Sequence, residues 1–79
     1  MLFRSTAKAP DSAVGYYHLG EALNQTNDPH GALAAYRQAT TLDATLWRAF
    51  KGMGIVLDRL GRTAEAAEAH RQAREAQRR

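Results

Sequence analysis

Residues 35–39 read Ala-Tyr-Arg-Gln-Ala, and residues 69–73 read Ala-His-Arg-Gln-Ala, the same stretch returned 34 positions later. Alanine, arginine and glutamine are common in helices, so this match alone proves little. The same shift, however, places Gly20 on Gly54, Leu23 on Leu57 and Ala32 on Ala66, and pairs Tyr16 with Phe50 and Leu19 with Met53. Small residues recur on small residues and aromatics on aromatics, which is what a duplicated packing unit requires.

Helical periodicity runs through both copies. Tyr16, Leu19, Gly20 and Leu23 follow the i, i+3, i+4, i+7 spacing of one helix face. Ala32, Leu33, Tyr36 and Ala39 form a second such face, and Trp47, Phe50, Met53, Gly54, Leu57 and Leu60 a third. Ser12 offers an N-cap to the first helix; Asp28 offers one to the second, with Pro29 at its first position. Thr45 and Thr63 are the expected caps of the third and fourth helices, and Glu65 sits where a helix dipole favours an acid. Gly61 suits the left-handed position just past a helix end. No alternating pattern marks a strand. The expected architecture is all-α: helices near 12–26, 29–42, 45–60 and 63–77, arranged as two stacked antiparallel hairpins, after a polar, flexible leader over residues 1–11.

Tyr16-x2-Leu19-Gly20-x2-Leu23…Ala32-x3-Tyr36 and Phe50-x2-Met53-Gly54-x2-Leu57…Ala66-x3-His70 resemble the tetratricopeptide repeat, whose period is 34 residues. The resemblance implies repeats at about 13–46 and 47–79. Gly20, Gly54, Ala32 and Ala66 would admit close helix approach, with Tyr16, Phe50 and Tyr36 in the wider gaps and Ala39 and Ala73 admitting the next helix. Departures are Ala44 and Arg78 where the family often has proline, and His70 in place of an aromatic. The fourth helix has no Leu, Ile, Val or Phe, which marks it as a polar, cap-like end. Two repeats are fewer than the three usually needed for stability. A fold-back of Met1-Leu2-Phe3 over the first helix, association of two chains, or a longer parent chain would each answer that shortage.

Composition narrows the function. There is no cysteine, hence no disulfide, thiolate zinc site or cysteine nucleophile, and a reducing, cytoplasmic setting is the compatible expectation. The start lacks the apolar core of a secretory signal. It shares with transit peptides a content of Arg, Lys, Ser and Thr without early acid, but a short polar leader is the plainer reading. His18, His30 and His70 show no metal-ligand spacing; His30 is expected to face solvent and His70 to take a packing position. Ser5 and Ser12 have no nucleophile elbow. Gly52-x-Gly54 lies within a helical pattern and lacks the lysine and strand of a phosphate loop. No enzymatic activity, cofactor or metal is expected.

By the same resemblance, the first helix of each repeat lines a concave groove that receives an extended peptide or a helix. The groove positions are Val14, Tyr17, Glu21 and Asn24 in the first copy, and Arg48, Lys51, Ile55, Asp58 and Arg59 in the second. Tyr17 and Ile55 would give apolar contact, Arg48 and Lys51 would pair with carboxylates, and Asn24 would bond to peptide backbone. Relatives that clamp the terminal carboxylate of chaperone tails present Lys and Asn where this chain has Tyr17 and Glu21, so that role is not expected. The expected function is a non-catalytic protein-interaction module binding a peptide or helix of a protein partner.

Two alternatives stand behind it. One is a self-assembling structural dimer. The other is a nucleic-acid binder using the basic second half: residues 47–79 carry Lys51 and seven Arg against Asp58, Glu65, Glu68 and Glu75, a net +4, whereas residues 1–46 carry a net −1. Interleaved acids, with Arg71–Glu75 and Glu75–Arg79 at i,i+4 spacing, argue for a solvated helix face instead. No segment is apolar enough to span a bilayer.

Overall fold

The computed structural model describes residues 12–78, which form four α-helices: α1 (Ala13–Gln25), α2 (Pro29–Leu42), α3 (Trp47–Arg59) and α4 (Thr63–Gln77). No strand occurs among the described residues. Helix α1 packs on α2 and α3 on α4; α2 joins the two hairpins through α3. The leader, including Met1, Leu2 and Phe3, lies outside the described residues.

The helix starts obey local chemistry in the first repeat and depart from expectation in the second. The Gly15 N–H donates to Ser12 Oγ at 2.9 Å, and the Gly31 N–H to Asp28 Oδ1 at 3.0 Å, with Pro29 opening α2. Each such cap is worth about 1 kcal/mol. Thr45 does not cap α3. Its N–H and hydroxyl both donate to Asp43 Oδ1, at 2.9 and 2.6 Å, so the side chain is spent on the preceding turn and Leu46 occupies the cap position. These two donors hold the Asp43 carboxyl below its usual pKa. Thr63 does not cap α4 either: it is the first helical residue, and Arg62 at the cap position donates from Nε to Glu65 Oε1 at 2.6 Å.

Both hairpin turns close the same way. Asn27 and Gly61, equivalent in the two copies, have φ of 67° and 77°. The following N–H groups reach back to the last turn, Asp28 to the Leu23 carbonyl at 2.8 Å and Arg62 to that of Leu57 at 2.9 Å. This double closure satisfies helix-end carbonyls and needs a left-handed residue, which Gly supplies freely and Asn tolerates.

The core runs along the seam between hairpins. Ala32, Leu33, Tyr36, Ala39, Ala49, Val56, Leu57, Ala66 and Ala69 are buried together. Tyr36 is its rivet. A Cβ built on Gly20 of α1 would lie 2.7 Å from Tyr36 Cε1, and one on Gly52 of α3 would lie 2.6 Å from Tyr36 Cζ. One ring therefore wedges against two helices, and both contacts need glycine. In the second copy the His70 ring takes the matching place against Gly54, at the expected packing position, although its side chain is 36% exposed where Tyr36 is 3% exposed as a residue.

The two ends of the stack differ. On α3, Ala49 and Val56 are fully buried, and Met53 meets the Thr40 hydroxyl of α2 at 4.0 Å. Their equivalents on α1 are Gly15, Ala22 and Leu19; Leu19 is 40% exposed and Ala22 is exposed. Leu19 belongs to the apolar stripe by spacing but has no helix over it among the described residues. On the outer helix, Arg71 bonds to Glu68 at i,i+3 and 2.5 Å in place of the expected i,i+4 pair with Glu75, and Arg78 bonds to Glu75 at 3.5 Å. Arg79 lies outside the described residues.

Candidate functional site

A groove opens between α1 and α3. Its volume is about 290 Å³, and its walls include Tyr17, Glu21 and Asn24 from α1 and Trp47, Arg48, Lys51 and Ile55 from α3, with Tyr36 beneath. Residues off the packing stripes of α1 and α3 share this face because both helices pack against α2 and touch each other. Of the seven principal residues nominated from sequence, Tyr17, Glu21, Asn24, Arg48, Lys51 and Ile55 line this one cavity. Asp58 does not; its carboxylate faces His70 Nε2 at 3.2 Å. Val14, 51% exposed, lies beside the groove in a shallow depression shared with Tyr17, Glu21 and Arg48.

The wall residues differ in their hydrogen-bond partners. The Tyr17 hydroxyl donates to Glu21 Oε2 at 2.9 Å; burial and that carboxylate push the phenol above its ordinary pKa. His18 Nδ1 lies 3.8 Å from Glu21 Oε1. Asn24 is not a free backbone reader: its side-chain oxygen accepts from Arg59 Nη1, and Arg59 Nη2 donates to Asn27 Oδ1 at 3.0 Å. Arg59 thereby ties the end of α3 to the end of α1. Ile55 is an apolar wall residue, 45% exposed. His30 is exposed, as its place beside Pro29 implied.

Trp47 falls on the apolar packing stripe by spacing, yet it is only half-buried and lines the groove. The Arg48 guanidinium stands 4.8 Å from the Trp47 ring centroid, within cation–π range. Gly52 and Tyr36, outside the expected groove set, also line the cavity. The spacing signal for Gly52 was present, since it follows Arg48 by one helical turn.

Three arginines of the basic second half are paired locally with acids. Arg62, Arg71 and Arg78 pair with Glu65, Glu68 and Glu75. No group of three or more metal-ligating side chains occurs among the described residues. No described helix is long and apolar enough to cross a membrane.

Residues 13–46, the whole first hairpin, match the family model of the tetratricopeptide repeat. The chain carries a tetratricopeptide repeat there, and its two hairpins, equivalent after a shift of 34 residues, fit about two such repeats. Repeats of this family are generally protein–protein interaction modules and typically non-catalytic scaffolds. No curated protein matches the chain.

Proposed function

We propose that this chain is an interaction module that receives a peptide or helix of a partner protein in the groove between α1 and α3. The observation that carries the reading is that six of the seven expected groove residues line one open cavity with mixed apolar and charged walls. Tyr17, Trp47 and Ile55 supply apolar contact, while Arg48 and Lys51 supply cationic donors. Peptides selected by display against the full chain test it. Amide shifts on binding are expected to cluster at Tyr17, Lys51 and Ile55, and Ile55→Asp is expected to abolish binding without loss of helicity. Binding that maps to the outer face of α2 and ignores Ile55→Asp would refute the reading.

A second reading, self-association, is favoured by one observation: the α1 face carrying Leu19 and Ala22 is exposed where its α3 equivalent is covered. Mass by light scattering, measured against concentration, separates the two. A dimer that dissociates on dilution and is lost in Leu19→Glu supports association through α1; a monomer of 8.7 kDa at all concentrations removes it.

A further inference from the structure

Every carboxylate among the described residues has a partner. Glu21 accepts from Tyr17, Asp28 from the Gly31 N–H and Asp43 from Thr45; Asp58 faces His70, and Glu65, Glu68 and Glu75 each face an arginine. The cations are not so balanced. Arg59 is held by amide oxygens, but Arg37, Arg48, Lys51 and Arg74 have no carboxylate within 4.0 Å among the described residues. Three of these four surround one place. Lys51 and Arg74 line a second open cavity of about 310 Å³ between α3 and α4, together with Trp47, His70, Ala73 and Gln77, and Arg48 stacks on the same Trp47. That cavity contains no acidic side chain.

The fold itself shows what fits such a cavity. Shifted back by one repeat, its lining becomes Ala13, Tyr17, Tyr36, Ala39, Thr40 and Asp43. There α3 lies across α2, with Gly52 over the Tyr36 ring and Met53 on Thr40. In the second copy Tyr36 becomes His70 and Thr40 becomes Arg74, so the outer face of α4 keeps the shape of a helix seat and gains positive charge.

We propose that the α3–α4 seat binds an acidic amphipathic helix of a partner protein. This helix lies across α4 as α3 lies across α2. It presents a small residue over His70 where α3 has Gly52, an acid to Arg74 where α3 has Met53, and a further acid one turn earlier, at the place of Arg48, facing Lys51. The partner pattern is acid-x3-small-acid. A second copy of this chain fits the seat poorly, because α1 would bring His18 onto His70 and Leu19 onto Arg74. The proposal rests on the interaction-module reading and adds the partner's chemistry and a seat beyond the α1–α3 groove.

Trp47 is the sole tryptophan and lines both cavities, so its emission reports occupancy of the full chain directly. The probe is a helical peptide of tandem Glu-Ala-Leu-Ala-Ala-Glu units, compared with the same peptide carrying Lys for Glu and with single-stranded oligothymidylate. The Glu peptide is expected to change Trp47 emission and to bind more weakly as salt rises. Arg74→Glu is expected to weaken it about tenfold or more, Lys51→Glu likewise, and Arg37→Glu, the same charge change at the unpaired cation outside the seat, by less than about twofold. Far-ultraviolet circular dichroism confirms that each exposed-site variant stays helical.

Four results would overturn the proposal: absence of Glu-peptide binding, equal binding of the Lys peptide, equal losses in Arg37→Glu and Arg74→Glu, or oligothymidylate binding more tightly with the same dependence on Arg74. Self-association that Arg74→Glu abolishes would assign the seat to a second copy and overturn it too. Display-selected peptides that still depend on Ile55 would, in any of these cases, leave the groove reading standing.

Discussion

Tyr36 and Gly52 should behave as one unit, and Gly52→Ala tests it. Alanine is the better helix former by about 1 kcal/mol, so in an open helix position this substitution stabilises. Here the new methyl group would lie 2.6 Å from Tyr36 Cζ and within 2.9 Å of both Cε atoms, where carbon contacts ordinarily sit at about 3.5–4.0 Å. The ring has to move by about 1 Å, and its close approach to Gly20 limits where it can go. Overpacking of this kind costs about 1–3 kcal/mol, which cancels or exceeds the propensity gain and leaves a net loss of about 0–2 kcal/mol. In a Tyr36→Leu background the offending ring atoms are gone, and the same Gly52→Ala change should stabilise by up to about 1 kcal/mol. The coupling between the two sites is then about 1–3 kcal/mol. Urea unfolding by circular dichroism measures it, with an osmolyte present so that the Tyr36→Leu chain has a folded baseline. Thermal melts report the same sign at about 4–8 °C per kcal/mol. A Gly52→Ala chain stabilised equally in both backgrounds would refute the claim that the Tyr36 ring bridges the hairpins.

Other outcomes follow from the same contacts. Met53→Ala, under α2, should cost about 2 kcal/mol, whereas Leu19→Ala at the equivalent place on α1 should cost less than about 1; equal losses in urea titrations would mean that α1 is covered in solution. Asn27→Val should destabilise by about 1–2 kcal/mol, because a β-branched residue is strained at a φ of 67° and the Arg59 contact is lost; an unchanged melting temperature would contradict the turn geometry. Burial pushes the Tyr36 phenol up to about 12 from an ordinary 10.0. The unfolded chain therefore loses this proton first as pH rises, so the stabilisation is intact below pH 10 and drains away between 10 and about 12. Alkaline melts should show that loss, and Tyr36→Phe should remove it. Gly54→Leu should overpack His70 and cost about 1–3 kcal/mol or more; near-native stability would show the repeat register to be wrong.

The positions of the four helices could be read from sequence because they depend on neighbours one turn apart. Periodicity, Ser12, Asp28-Pro29 and Gly61 act within a few residues of themselves, and the 34-residue echo of Gly20 in Gly54 carried the hairpin pairing with it. Local reasoning failed where two local partners competed. Thr45 could cap α3 or bond to Asp43, and the turn geometry decided for Asp43; Thr63 entered the helix it was expected to cap.

The groove was half legible for a different reason. Spacing shows that off-stripe positions such as Tyr17, Lys51 and Ile55 face away from the core, and the repeat resemblance assigns them to a groove. Whether such residues share a cavity depends on how helices far apart in sequence cross, which spacing does not encode. Tertiary packing drew Asp58 away to His70, occupied Asn24 with Arg59, and turned Trp47 from the expected core into the groove wall. It also left Leu19 uncovered while burying the Val56 region of α3 beneath α2. Helix content and repeat register are properties of the chain's own short-range pattern; exposure, pairing and the shape of a binding surface arise only when non-neighbouring helices meet.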